Sequence, residues 1–172
     1  MSGIYKALLL VAGLGLAACS DARWEDSASG VGNGGAGYGT GLGDGSLSDP
    51  TSPAYFREAV GDRVLFAVDQ SSISAQAQGI LAGQARWLNA NPAYNVTIEG
   101  HADEQGTREY NLALGARRAN AAREYLISQG VAANRIDVVS YGKERPLEIC
   151  SDESCYAQNR RAVTVLAGGV VS

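Results

Sequence analysis

The chain has 172 residues, with 14 Lys plus Arg against 18 Asp plus Glu and a formal net charge of −4 at pH 7. Its only basic doublets are Arg117-Arg118 and Arg160-Arg161, which excludes the clustered positive footprint of a nucleic-acid binder. With one histidine, His101, and three cysteines outside any CxxC, the chain holds no metal-ligand cluster and no cofactor is expected.

In chain order, Lys6 precedes an apolar run from Ala7 to Ala18. A short charged start, an apolar core and small residues before a cut read as a secretory signal. The run is too short and too often interrupted by Gly for a membrane span. It closes on Leu16-Ala17-Ala18-Cys19, which resembles the bacterial lipobox. That resemblance implies that residues 1–18 are removed as a lipoprotein signal peptide and that Cys19 becomes a lipidated first residue. At about 0.8 kcal/mol per buried CH₂, three acyl chains on one cysteine would make release negligible. The next residue is Ser20 and not aspartate, which resembles the outer-membrane sorting pattern, with the rest of the chain facing the periplasm.

Residues 19–53 read as a lipidated foot and a tether. Nine of the 22 glycines fall between Gly30 and Gly45, a composition that cannot build a core and behaves as a flexible coil.

Periodic segments begin at Ala54, and residues 54–172 read as one domain. Val64 to Val68 is a short apolar strand. Ser74 to Asn89 is a helix, stopped by Asn91-Pro92. Asn95 to His101 alternates as a strand. Thr107 to Gln129 is a second helix, stopped at Gly130. Arg135 to Tyr141 and Ala162 to Leu166 are two further strands. Strands and two helices in this order indicate an α+β or α/β sandwich with helices on a small sheet.

On a helical wheel Leu114, Ala121, Ala122, Tyr125 and Leu126 form one stripe of the second helix. Arg118 falls near its centre, with Asn111 close by and Arg117 toward the edge. A guanidinium on a core-facing stripe needs a partner, and its planar fork suits a carboxylate of the protein or of a ligand. Asp103, just past the strand ending at His101, is the candidate. His101 itself reads as structural, Glu99 and Glu104 as solvated, and Arg160-Arg161 as a solvated strand edge. With Cys19 acylated, Cys150 and Cys155 remain as an even pair in an oxidising compartment, flanking the turn-like Ser151-Asp152-Glu153-Ser154, and read as a disulfide.

The run from Ile98-Glu99-Gly100-His101-Ala102-Asp103 through Tyr110-Asn111-Leu112-Ala113-Leu114 to Arg117-Arg118-Ala119-Asn120 resembles the OmpA-like peptidoglycan-binding domain family. Val139-Ser140-Tyr141-Gly142-Lys143-Glu144-Arg145-Pro146 and Asn159-Arg160-Arg161-Ala162-Val163 fit the same pattern, over roughly Val64 to Leu166. The lipobox and tether fit the lipoprotein branch of the Tol–Pal system. The resemblance implies an α+β sandwich with two main helices on a small mixed four-stranded sheet. It implies a non-enzymatic tether between outer membrane and cell wall, with peptidoglycan and the periplasmic protein TolB as partners and a role in constriction at cell division. It implies a pocket for the diaminopimelate of the stem peptide: Asp103 toward its ammonium, Arg118 toward its carboxylate, Leu114 against its aliphatic part, and Asp69 with the backbone of Val68 closing the site. The chain departs from the family pattern at Phe66-Ala67-Val68-Asp69-Gln70, where Val68 replaces an aromatic. An OmpA-like lipoprotein outside Tol–Pal is the alternative. A lipoprotein hydrolase would need a nucleophile or metal constellation, and none is visible.

Overall fold

A computed structural model describes residues 45–149 and 151–168 of the protein, all within the unit Gly39–Ser172. The elements in chain order are α1 (Pro53–Tyr55, running into a wider π-type turn over Phe56–Gly61), β1 (Arg63–Leu65), α2 (Ala75–Ala90), β2 (Asn95–His101), α3 (Arg108–Ser128), a 3₁₀ turn (Ala133–Arg135), β3 (Ile136–Gly142), α4 (Glu153–Asn159) and β4 (Arg161–Ala167). The strands form one mixed sheet in the order β1-β4-β2-β3. β4 runs antiparallel to both β1 and β2, and β2 runs parallel to β3. This is the α+β sandwich expected.

Local chemistry sets the helix bounds. Ser74 and Thr107 are N-caps whose hydroxyls accept from Ala77 N and Tyr110 N, each at 3.2 Å. α3 ends where Gly130 turns to φ 93° and Val131 N returns to Leu126 O at 3.1 Å, a left-handed stop.

One face of the sheet is covered by helices. Val64, Val96, Ile98 and Ala162 meet Leu81, Ala85 and Leu88 of α2 and Ala119, Ala122 and Leu126 of α3 in a single core. Each fully buried leucine or isoleucine contributes about 1.5–3 kcal/mol. Leu65 and Val165 lie on alternating positions that remain exposed, as the two-residue period of a half-covered sheet requires.

Three expectations change. β1 stops at Leu65 and does not reach Val68, because the chain leaves the sheet and turns at Val68-Asp69, with Asp69 in the left-handed region at φ 57°. The packed region extends upstream of Ala54: Trp87 Nε1 donates to Pro50 O at 2.7 Å and Tyr94 OH to Thr51 O at 3.2 Å. The turn-like Ser151-Asp152-Glu153-Ser154 leads instead into a helix, Glu153–Asn159, capped by Asp152, whose carboxylate accepts from Cys155 N at 3.2 Å. Cys19 and Cys150 lie outside the described residues, as do the signal segment and the tether to residue 44. Cys155 is disulfide-bonded.

Candidate functional site

The site is built where α3 presses on the carboxyl end of β2. A Cβ at Gly100 would sit 1.9 Å from Gly115 O, and one at Gly115 would sit 2.4 Å from Ser140 Oγ. Only two glycines allow helix and sheet to approach this closely. The approach brings Arg118, one turn beyond Leu114, over the end of β2.

Arg118 is wholly buried. Its Nε donates to Gln70 O at 2.8 Å, Nη1 to His101 O at 2.8 Å and Nη2 to Ala67 O at 3.2 Å. The guanidinium therefore ties the turn after β1 to the end of β2. It also lies 5.3 Å from the centroid of the Phe66 ring. Burial pushes its pKa down to about 10, opposed by the charge of Asp103, so it stays a cation at pH 7.

The carboxylate expected beside Arg118 belongs to another arginine. Asp103 Oδ2 pairs with Arg160 Nη1 at 3.2 Å, and Asp103 Oδ1 accepts from Gln105 N at 3.2 Å. Arg160 and Arg161, expected at a solvated edge, are only 4% and 6% exposed. Arg160 is held by Phe66 O, Asp103 and Glu153, and Arg161 by the carbonyls of Asn159 and Arg145. The sequence carries little signal for this burial, because α4 is polar and supplies it only through the tertiary fold.

A cleft of about 220 Å³ opens beside this network, lined by Val68, Asp69, Asp103, Gln105, Gly106, Tyr110, Asn111 and Leu114. The fold thus gathers Val68, Asp69, Asp103 and Leu114 at one cleft, with Arg118 behind it. Four liners, Gln105, Gly106, Tyr110 and Asn111, are not among the expected ligand contacts. Tyr110 OH donates to the Asp69 carboxylate across the cleft. Asn111 Nδ2 donates to Gln105 O at 2.9 Å, whereas its buried Oδ1 has no partner. Asn111 precedes Arg118 by seven residues, two helical turns, so the wheel already placed it on this face.

His101 is almost wholly buried, and neither ring nitrogen has a hydrogen-bond partner. Burial first, then the charges of Arg161 and Arg145, push its pKa down to about 4. It is neutral at pH 7, and its carbonyl, not its ring, serves the site. Glu99, expected in solvent, is half-buried with Oε2 3.6 Å from His101 Nε2, while Glu104 is exposed and accepts from Tyr156 OH at 2.8 Å. Among the described residues no group of three or more His, Cys, Asp or Glu could hold a metal ion, and no helix is long and apolar enough to cross a membrane.

Comparison with known proteins agrees with this architecture. The OmpA family model matches residues 65–160. The peptidoglycan-associated lipoprotein of Mesorhizobium japonicum is 52% identical over 161 residues, covering 94% of this chain and 90% of that protein. The crystal structure of the peptidoglycan-associated lipoprotein from Burkholderia pseudomallei superposes with a TM-score of 0.63 at 41% identity, covering 70% of this chain and 98% of that one. The C-terminal domain of Helicobacter pylori MotB shares the fold at 19% identity and a TM-score of 0.59, over 63% of this chain and 86% of that one. The chain belongs to the OmpA family and, within it, to the peptidoglycan-associated lipoproteins.

Proposed function

We propose that the protein holds peptidoglycan non-covalently through the diaminopimelate of the stem peptide and so tethers the outer membrane to the cell wall. As a member of this family it is not an enzyme. The observation that carries the reading is the cleft itself. Asp103 and Asp69 offer carboxylates for an ammonium, Asn111 Oδ1 is a buried acceptor without a donor, and Leu114 supplies an apolar wall. A guanidinium has five N–H donors, and three of those of Arg118 go to carbonyls; Arg118 is wholly buried behind the cleft wall, so in this reading a ligand carboxylate reaches its other two donors only if the turn at Val68-Asp69 moves aside. The side-chain end of diaminopimelate carries both an ammonium and a carboxylate. Lysine in the same place carries only the ammonium.

The anchor in this reading is Cys19, triacylated after cleavage at Ala18, with the residues up to 44 as the reach between membrane and wall. The Tol–Pal system, with TolB as a protein partner and constriction at division as the process served, completes the proposal on family grounds. Co-sedimentation of the protein with purified sacculi, followed by mass analysis of the muropeptides, tests the core of it. Retention with unaltered muropeptides is expected. Free muropeptides released by the protein would contradict binding without cleavage. Mass spectrometry of the mature amino terminus tests the anchor, with a triacylated Cys19 expected and an unmodified start contradicting it.

A further inference from the structure

Arg118 is wholly buried, and one turn of the chain lies over it. Gln70 N donates to Ala67 O at 3.2 Å and closes Ala67-Val68-Asp69-Gln70 as a four-residue turn. Arg118 holds this turn at both ends, through Ala67 O and Gln70 O. The bond to Ala67 O, at 3.2 Å, is the longest of its three to carbonyls. All four residues of the turn are exposed, so little buried surface keeps it in place. A further hold comes from the opposite wall of the cleft, where Tyr110 OH donates to the Asp69 carboxylate.

The turn is strained at the residue that makes this contact. Asp69, at φ 57°, is the one residue other than Gly with a positive φ among the described residues. A positive φ at the third position of a turn calls for Gly, and Asp adopts that backbone only at a cost. Gly would relieve the strain and lose the carboxylate, and the carboxylate that the strained backbone keeps in place faces Tyr110. This hydrogen bond raises the pKa of the Tyr110 hydroxyl above its ordinary value, so it remains a donor at pH 7. Tyr110 is 44% exposed and Val68 55%, so the contact can open without disturbing the core.

We propose that Tyr110 and Asp69 latch the Ala67–Gln70 turn shut over Arg118 in the empty protein, and that the two charged ends of the ligand release it. The proposal rests on the diaminopimelate reading above and names the gate of that site. The ligand ammonium replaces the Tyr110 hydroxyl on Asp69, and the ligand carboxylate replaces the Ala67 carbonyl on Arg118. In each exchange a neutral partner yields to a charged one, which makes the stronger hydrogen bond. Tyr110 is a positioning residue: it holds the closed state, and the bound state no longer uses its hydroxyl. Affinity is then lowered in proportion to the fraction of molecules whose turn is open before binding.

The test compares the full chain with its Tyr110→Phe variant, which keeps the ring and removes only the hydroxyl. A dye-labelled muropeptide carrying diaminopimelate is the probe in stopped-flow binding. Hydrogen exchange at the Gln70 amide, bonded to Ala67 O, reports the turn in the absence of ligand. Tyr110→Phe is expected to speed Gln70 exchange by about three- to tenfold, the size of one lost hydrogen bond, and to leave Val96 and Ile98 in the core protected. The association rate should rise by the same factor, with the dissociation rate within about twofold of wild type. A cleft that is merely loosened would dissociate faster and associate no faster. An association rate no higher than wild type overturns the proposal, as does a gain in affinity that comes from slower dissociation alone. Equal Gln70 exchange in the two proteins also overturns it. If neither protein binds the muropeptide, the diaminopimelate reading fails by itself. The latch is then judged by exchange alone, and unchanged protection of Gln70 in Tyr110→Phe overturns it.

Discussion

Asp103 Oδ2 lies 3.2 Å from Arg160 Nη1, and both residues are buried. This pair joins the end of β2 to the turn that starts β4, and it leaves Arg118 to be satisfied by carbonyls. The two arginines thus divide the work: Arg160 fixes the acidic loop, and Arg118 fixes the turn opposite it.

Replacing Arg160 by Met is expected to destabilise the fold by about 3–5 kcal/mol, because Asp103 is left as an uncompensated buried charge. Asp103→Asn should cost less, since Asn Oδ1 still accepts from Gln105 N. Urea unfolding midpoints of the two variants check the order.

Gly100→Ala places a methyl 1.9 Å from Gly115 O, a backbone atom that cannot yield, whereas Gly115→Ala places one 2.4 Å from Ser140 Oγ, which can rotate, and 2.8 Å from Gly100 O. Gly100→Ala should be the worse, because it meets backbone, and a loss above about 3 kcal/mol is expected. Thermal unfolding decides it. A melting temperature for Gly100→Ala within a few degrees of wild type would mean that α3 does not rest on β2 as described.

His101 gives a pH dependence. Its ordinary pKa of 6.5 falls to about 4 in the fold. Between these values the unfolded chain binds the proton and the folded one does not, so stability rises with pH in this window. The contribution is complete above the unfolded pKa and is lost as pH falls toward the folded one. Lowering the pH from 7 to 5 should cost wild type about 2 kcal/mol more than His101→Phe. Urea midpoints at the two pH values measure the difference, and equal losses in the two proteins would contradict it.

Arg117 is exposed, 5.9 Å from the Tyr110 ring centroid. Arg117→Ala should leave the unfolding midpoint within about 0.5 kcal/mol of wild type and muropeptide affinity within about twofold. Arg118→Ala, by contrast, strips the buried His101 carbonyl and the part-buried Gln70 and Ala67 carbonyls of a donor and leaves a core cavity, and should lose several kcal/mol. The same unfolding curves separate the two.

Much of this was legible in the residues. Period and caps gave both long helices to within a residue or two, and the wheel put Arg118, Leu114 and Asn111 on the buried face. Signals that act only at long range were not legible. An Arg-Arg doublet at a strand start reads as solvated until α4 folds over it, and α4 has no apolar stripe to announce it. The strand reads longer in sequence than β1 is, because Phe66, Ala67 and Val68 continue an apolar run. Nothing local reveals that the chain leaves the sheet there to place its carbonyls on Arg118. The contact of Gly100 with Gly115 spans two elements, and neither glycine shows it alone.

In the proposed function the cleft between Val68-Asp69 and Asp103–Leu114 takes the zwitterionic end of diaminopimelate. Its most direct test is titration of the isotopically labelled protein with two muropeptides that differ only in carrying diaminopimelate or lysine at the third position. Saturable shifts of the Gln105, Gly106, Asn111 and Leu114 amides are expected with the diaminopimelate form. The lysine form, lacking the carboxylate that Arg118 would engage, should bind at least about tenfold more weakly. Equal binding of the two forms, or shifts confined to residues away from this cleft, would contradict it.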